Sequence, residues 1–247
     1  MGLVLESQRL SLHDSTVQIL AQNPTGRDFV IGDIHGHYSE LMQTLNSVAF
    51  DFDRDRLICC GDLVDKGAES EKVVALLSEP WFFSVRGNHD QFIVDQFHKA
   101  FHQERVLLWG GYAEMTPQQV HQKYAGTWFA KLPDAVQQSI AAALNQLPYA
   151  LEVKTKQGRV GICHAGVPLQ FNDWQDFVLQ LQQPEGRKIK ELTLRLRDPA
   201  FQNNRYIQGI DQTYHGHTGF RQIHTIGNSC WIDTFEKRQQ FTLIDLT

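Results

Sequence analysis

Nothing in this 247-residue chain approaches the roughly 20 uninterrupted apolar residues that a membrane helix needs. The opening Met1-Gly2-Leu3-Val4-Leu5-Glu6 lacks the basic region and long apolar core of a secretory signal. A membrane role and export are therefore not expected, and the cytoplasm is the default location. Positive charge is not in excess either: the formal net charge of −5 leaves no global basic field for nucleic acid. Cysteine is scarce. Cys59, Cys60, Cys163 and Cys230 form no CxxC pair and no repeated spacing, which argues against a disulfide framework or a structural zinc site. They are expected to be reduced, buried and small, with Cys59 and Cys60 pointing to opposite faces of a strand. No Pro/Ser/Gly-rich linker, internal repeat or low-complexity tract divides the chain. With 42% hydrophobic and 21% charged residues, it reads as one globular domain over 1–247 and as a monomer.

What is present is an alternation of apolar runs and amphipathic stretches. Phe29-Val30-Ile31 stops at Gly32-Asp33, Leu57-Ile58-Cys59-Cys60 stops at Gly61-Asp62, and Phe82-Phe83-Ser84-Val85 stops at Arg86-Gly87-Asn88-His89-Asp90. Each reads as a buried strand closed by a glycine turn. Leu41, Leu45, Val48 and Ala49 share one helical face between two of these runs, and Val73, Val74 and Leu77 share another. Strand–helix–strand alternation implies a largely parallel sheet covered by helices. The pattern turns helical over about 91–148, where Val136, Ile140, Ala143, Leu144 and Leu147 form a stripe; this segment is expected to be a helical insertion. Strands return at Tyr149–Val153 and Arg159–Cys163, joined by a Gln157-Gly158 turn, followed by a helix around Trp174, Phe177, Val178 and Leu181. The C-terminal part reads as antiparallel sheet: Ile223–Ile226, a Gly227-Asn228 turn, Cys230–Asp233, then alternating Phe241, Leu243 and Leu246. The expected fold class is mixed α/β, with two packed β-sheets flanked by helices.

The residues standing at the strand ends are of one chemical kind. Asp33 and His35 sit in Gly-Asp-Ile-His-Gly, Asp62 and Asp65 in Gly-Asp-Leu-Val-Asp-Lys-Gly, and Asn88 and His89 in Arg-Gly-Asn-His-Asp. His164 sits in His-Ala-Gly and His217 in His-Gly-His-Thr. Ligands of open α/β sheets collect at the carboxyl ends of strands, so these loops can converge on one crevice. Any one of these motifs alone reads as a turn, a helix cap or a satisfied core histidine; their joint occurrence in this order points to a shared metal site. Carboxylate, imidazole and amide oxygen suit divalent manganese, iron or zinc better than a soft thiolate centre.

These motifs, extended by Gly216-His217-Thr218 and Ile232-Asp233-Thr234, resemble the signature of the calcineurin-like metallophosphoesterases. Within them the chain is most similar to the bacterial and phage serine/threonine protein phosphatases. The resemblance implies two central mixed β-sheets between helices, a four-layer fold. It also implies two divalent metal ions, manganese first among the candidates. Asp33 and His35 would bind one metal, Asp62 would bridge, and Asn88, His164 and His217 would bind the other. His89 would be the general acid, oriented by Asp65. Arg86 would grip phosphate together with Lys66 and a second arginine, for which Arg197 is the first candidate and Arg195 the second. Lys66 stands where the family usually has arginine, Asp90 where eukaryotic members have glutamate, and Phe235 where Ile-Asp-Thr is usually followed by glycine. Lysine offers a point charge without the guanidinium fork.

The implied reaction is phosphomonoester hydrolysis of a phosphorylated protein or small phosphoester, with a hydroxide bridging the two metals as nucleophile. The alternatives are hydrolysis of diadenosine tetraphosphate, whose symmetric hydrolases usually lack the counterpart of Asp65, and a non-catalytic phosphoprotein-binding module. His37 is expected to start a helix, and His215 to lie beside the site. His98, His102 and His121 are expected at the surface or in caps. Trp109-Gly110-Gly111 resembles a substrate-side loop of bacterial relatives.

Overall fold

The computed structural model describes residues 16–97, 104–108 and 111–247. The first part runs β1 (Val17–Leu20), β2 (Asp28–Ile31), α1 (Tyr38–Ser47), β3 (Arg56–Cys59), α2 (Ser70–Ala75), β4 (Phe82–Ser84) and α3 (Asn88–Asp95). A hairpin of β5 (Glu104–Leu108) and β6 (Gly111–Met115) follows, then α4 (Pro117–Lys123) and α5 (Asp134–Asn145). The rest runs β7 (Ala150–Thr155), β8 (Gly158–Cys163), α6 (Trp174–Leu181), α7 (Arg187–Arg195), β9 (Gln212–His215), β10 (His224–Ile226), β11 (Ser229–Trp231), α8 (Phe235–Arg238) and β12 (Leu243–Asp245). Among the described residues no helix is long and apolar enough to cross a membrane.

Two mixed sheets form the centre, as the sequence implied. One has the order β12-β2-β3-β4 and the other β1-β7-β8-β9-β11-β10. Their facing sides meet through Val30, Ile58, Cys60 and Val85 from the first sheet and its strand ends, and Leu151, Val153 and Ile162 from the second. The alternate residues Phe29, Ile31, Leu57 and Cys59 turn outward, where Leu41 and Leu45 of α1, Val73 of α2, and Ile140 and Leu144 of α5 cover them. Period-two alternation within otherwise apolar strands thus feeds two cores at once. Cys59 and Cys60 illustrate it, one in each core. Ala150 and Cys163 face outward from the second sheet onto Trp174, Phe177 and Leu181 of α6. The layers are helix, sheet, sheet, helix.

Two expectations need correction. The C-terminal strands do not form one antiparallel meander. β10 and β11 pair antiparallel, but β12 crosses to the other sheet and pairs antiparallel with β2. Alternation in the sequence specifies a half-buried strand and carries no information about its partner. The 91–148 segment contains the antiparallel β5–β6 hairpin as well as helices.

β2, β3 and β4 are parallel, and so are β8, β9 and β11, so the carboxyl ends of each set lie on one edge. A bidentate pair between Asp28 and Arg56, both contacts 2.7 Å, fixes the opposite ends of β2 and β3. Ile58, fully buried between the sheets, tests the close packing of this layer. Ile58→Ala should cost about 2–5 kcal/mol in urea unfolding, through a lower midpoint at unchanged m. A cost well under 1 kcal/mol would show that the layer is not packed as described.

Candidate metal centre

The site is built where the strand-end loops cross. His35 N and Ile34 N donate to the Asp62 carbonyl at 2.8 and 3.2 Å, Gly36 N to Leu63 O at 2.8 Å, and Gly67 N to His35 O at 2.8 Å. The Asp90 carboxylate ties the next loop in, accepting from Asp62 N at 3.0 Å, Leu63 N at 3.0 Å and Gly87 N at 2.8 Å. The backbone is under strain at the site. His35, Asp62, Asp65, Lys66 and His217 all have positive φ, between 47° and 73°, a conformation that non-glycine residues hold only where the surroundings impose it. Two glycines are dictated by contact. A Cβ at Gly87 would lie 2.1 Å from Asp62 Oδ1, and one at Gly216 would lie 1.8 Å from Asp33 Oδ1.

Each histidine of the centre is anchored through one ring nitrogen and presents the other. His35 Nδ1 meets Val64 O at 2.9 Å, leaving Nε2 3.5 Å from Asp62 Oδ2 and 3.7 Å from Asp33 Oδ2. His164 Nδ1 meets Cys60 O at 2.8 Å, leaving Nε2 3.0 Å from Asn88 Oδ1 and 3.4 Å from Asp62 Oδ1. His217 Nε2 meets Arg195 O at 3.1 Å, leaving Nδ1. A carbonyl acceptor on the far nitrogen fixes tautomer and ring orientation, as metal-ligating histidines require. Two groups of donor atoms, each within 4.8 Å of one another, result: Asp62, His35 and His89, and Asp62, His164 and His217. Asp62 belongs to both.

The electrostatics fit a cation. Burial pushes the Asp33 carboxyl well above the usual range, and Asp233 and Asp62 push it further. Burial likewise raises Asp233, to about 6. Burial opposes charge on His164, but Asp62 and Asp33 outweigh it and lift the imidazole to about 9. His164 therefore faces oxygen acceptors on both of its nitrogens. Buried carboxylates such as Asp33 and Asp233, which ionise comfortably only beside positive charge, together with imidazole nitrogens and the Asn88 amide oxygen, form a donor set suited to hard or borderline divalent metals.

His89 lies beside this centre. Its Nδ1 is 2.7 Å from Asp65 Oδ2, its backbone N donates to Asp62 Oδ1 at 2.8 Å, and its ring meets that of His35 edge-on at 4.8 Å. Burial works to raise the Asp65 carboxyl, but hydrogen bonds from His121 and His89 outweigh it and hold it below the usual range. The expectation for His121 is thus corrected. It is 1% exposed and its Nε2 lies 2.8 and 3.1 Å from the two Asp65 oxygens. Trp128 Nε1 donates to Asp65 Oδ1 at 2.7 Å. Neither residue carries a motif, and each lies more than fifty positions from Asp65, so no local signal could have found them.

A cleft of about 300 Å³ is lined by Asp33, His35, Asp62, Asn88, His89 and His217, and also by Lys66, Arg197, Phe201, Asp233 and Glu236. Arg197 is therefore the arginine at the cleft, its Nη1 donating to His217 O at 3.1 Å. Arg195 bonds Glu191 at 3.0 Å and lies over the Phe92 ring. Lys66 is paired with Glu236 of α8.

Arg86 is not brought to the cleft, contrary to expectation. Its guanidinium donates to Gln91 Oε1 at 3.0 Å, Tyr149 Oη at 3.1 Å and the carbonyls of Asn145 and Leu147 at 2.5 and 3.2 Å. It locks the end of α5 to the β4 loop. His37 precedes α1, its ring against Phe235, and His215 is buried between Cys163 O and Thr213 Oγ1, both 2.9 Å away. Phe235 fills the turn after β11 by stacking on Phe241 at 4.3 Å. His98, His102 and the Trp109-Gly110 part of the noted loop lie outside the described residues.

Comparisons with known proteins agree with this geometry. The family model described as calcineurin-like phosphoesterase matches residues 29–238. Serine/threonine-protein phosphatase 1 of Salmonella typhimurium (strain LT2) is 32% identical over 209 residues, which span 83% of this chain and 85% of that protein. The symmetrical bis(5'-nucleosyl)-tetraphosphatase of Proteus mirabilis (strain HI4320) is 41% identical over 73 residues, 29% of this chain and 27% of that one. A crystallised protein assigned as a diadenosine tetraphosphatase superposes with a TM-score of 0.56 at 22% identity, covering 93% of both chains, and so shares the fold. A match over most of the chain, through strand ends that carry the metal-type side chains, places it: the chain belongs to the calcineurin-like phosphoesterases and is a metallophosphoesterase-type phosphatase.

Proposed function

We propose that this phosphatase removes phosphate from phosphoserine and phosphothreonine side chains, with His89 protonating the departing alkoxide. The observation that carries this reading is the buried 2.7 Å contact between His89 Nδ1 and Asp65. A serine or threonine alkoxide is a poor leaving group and needs a proton, whereas a polyphosphate leaves without one. With Nδ1 held by an ionised carboxylate, Nε2 is the atom directed to the cleft that His89 lines. A general acid so placed contributes typically ~10²–10⁴ in rate. The nearly full-length similarity to a serine/threonine phosphatase supports the same substrate class.

Asp33, His35 and Asp62 would hold one divalent cation, and Asp62, Asn88, His164 and His217 the other. Carboxylate, imidazole and amide oxygen suit manganese, with iron and zinc next. When bound, two such cations supply an activated water and neutralise charge on the phosphoryl oxygens. Arg197 and Lys66, both at the cleft, would receive the phosphoryl group, and Lys66 must give up Glu236 to do so. The exposed Phe201 ring at the cleft rim could stack on a nucleobase and is what favours the second reading, a dinucleoside polyphosphate substrate.

Two measurements bear on this. Manganese-loaded protein offered a phosphoserine peptide, p-nitrophenyl phosphate and diadenosine tetraphosphate should show higher kcat/KM for the peptide than for the dinucleotide; the reverse order would establish the second reading. His89→Asn should slow peptide hydrolysis by about 10²-fold or more while costing far less on p-nitrophenyl phosphate, whose leaving group needs no proton. Equal losses on both substrates would remove His89 from the role of acid.

A further inference from the structure

Asp65 receives more than the imidazole it was expected to orient. Its two oxygens accept from His89 Nδ1 at 2.7 Å, His121 Nε2 at 2.8 and 3.1 Å, and Trp128 Nε1 at 2.7 Å. The loop that carries Asp65 leaves it at a φ of 73° and anchors its main chain at two points, Asp65 N donating to Ser70 Oγ at 3.0 Å and Asp65 O accepting from Gly67 N at 2.7 Å. Those bonds fix the main chain and leave the carboxylate free to turn about its side-chain torsions. What fixes the carboxylate comes from the segment after β6, between Thr116 and Lys131.

His121 is itself held in one protonation pattern. Gln96 Nε2 lies 2.8 Å from His121 Nδ1 and donates also to Phe92 O at 3.1 Å, so Nδ1 accepts and Nε2 carries the proton toward Asp65. The ring cannot swing away. A Cβ at Gly126 would lie 2.2 Å from His121 Nε2, because the backbone passes directly against the imidazole, and Gly126 N closes back on His121 O at 2.9 Å. The Phe129 ring stands edge-on to it at 5.7 Å. Neither His121 nor Trp128 lines the cleft.

We infer that His121 and Trp128 are positioning residues for His89: through Asp65 they fix the direction of the imidazole that protonates the leaving group. The inference rests on the reading of His89 as the acid. It adds that the acid is complete only when the 116–131 segment is docked against α3, where Tyr124 stacks on Phe92 at 5.4 Å. A carboxylate with three N–H donors has its lone pairs directed; with one donor removed it can rotate, and the imidazole rotates with it. Misplacement of a reacting group by about 1 Å can cost ~10²-fold in rate. The loss should be confined to chemistry that needs the proton.

The test uses the full-length, manganese-loaded protein and compares kcat on a phosphoserine peptide with kcat on p-nitrophenyl phosphate. His121→Ala should lower kcat on the peptide by roughly tenfold or more and lose clearly less on p-nitrophenyl phosphate, with bound manganese unchanged. His121→Gln, which keeps an N–H donor, should recover part of the peptide rate, and Trp128→Phe should shift the ratio in the same direction as His121→Ala. In a His89→Asn background, His121→Ala should add no further loss, since the acid it serves is gone. Should His121→Ala fail to fold, His121→Gln and Trp128→Phe read the same ratio. Equal losses on both substrates, a loss confined to KM, or a further loss in the His89→Asn background would overturn the inference while leaving the phosphatase reading intact. Wild-type protein inactive on both phosphomonoesters would remove that reading and the inference with it.

Discussion

Three carboxylates, Asp33, Asp62 and Asp233, are buried in one cleft that His35 and the half-buried His217 also line, with the buried His164 against Asp62. A fold that collects acidic groups away from water must supply compensating positive charge, because isolated buried carboxylates are costly. Without a cation that compensation falls to protons, on Asp33 and Asp233, both pushed upward by burial, and on His164, lifted by Asp62 and Asp33; a divalent cation would take their place. The rest of the structure follows from this constraint. The sheets place parallel strand ends along one edge, glycines let carboxylates approach backbone, and carbonyls anchor the far nitrogen of each imidazole. The strained backbone at His35, Asp62 and His217 is what fixes those side chains inward.

Much of this was legible in the sequence because the ligands are local. Each stands within a few residues of an apolar run that ends in glycine, so the strand, the turn and the chemical group are read from one short window. The two-sheet core was legible for a similar reason, since period-two alternation specifies two buried faces. What escaped depends on tertiary partners. β12 has an unremarkable alternating pattern, and only pairing with β2 gives it a place in the first sheet. Arg86 stands beside the ligand motif, yet Arg86 N bonds Pro148 O at 2.7 Å and the side chain follows that contact to the end of α5. His121 and Trp128 reach Asp65 across separations of 56 and 63 residues, with no signature to announce them.

The departures from the family pattern acquire physical meaning. Asp90, a shorter acid than glutamate, still reaches three backbone N–H groups and ties the β3 and β4 loops together. Phe235 replaces a flexible turn residue with a stacked ring and begins α8, which carries Glu236 to Lys66. Lysine there is a point charge already engaged by a carboxylate, so phosphate must compete for it. On the proposed reading the two ends of the reaction are built differently: the candidate metal and acid side chains are held by fixed hydrogen bonds, whereas Lys66 would have to release Glu236 to receive phosphate.

On the proposed reading the described side chains form one two-cation centre bridged by Asp62. Metal content of purified protein, stripped, reloaded with manganese and measured by elemental analysis beside Asp62→Asn, tests it directly. The wild type should hold two manganese ions per chain, and the variant should lose both metal and turnover. One ion per chain, or full metal and activity retained in Asp62→Asn, would contradict it.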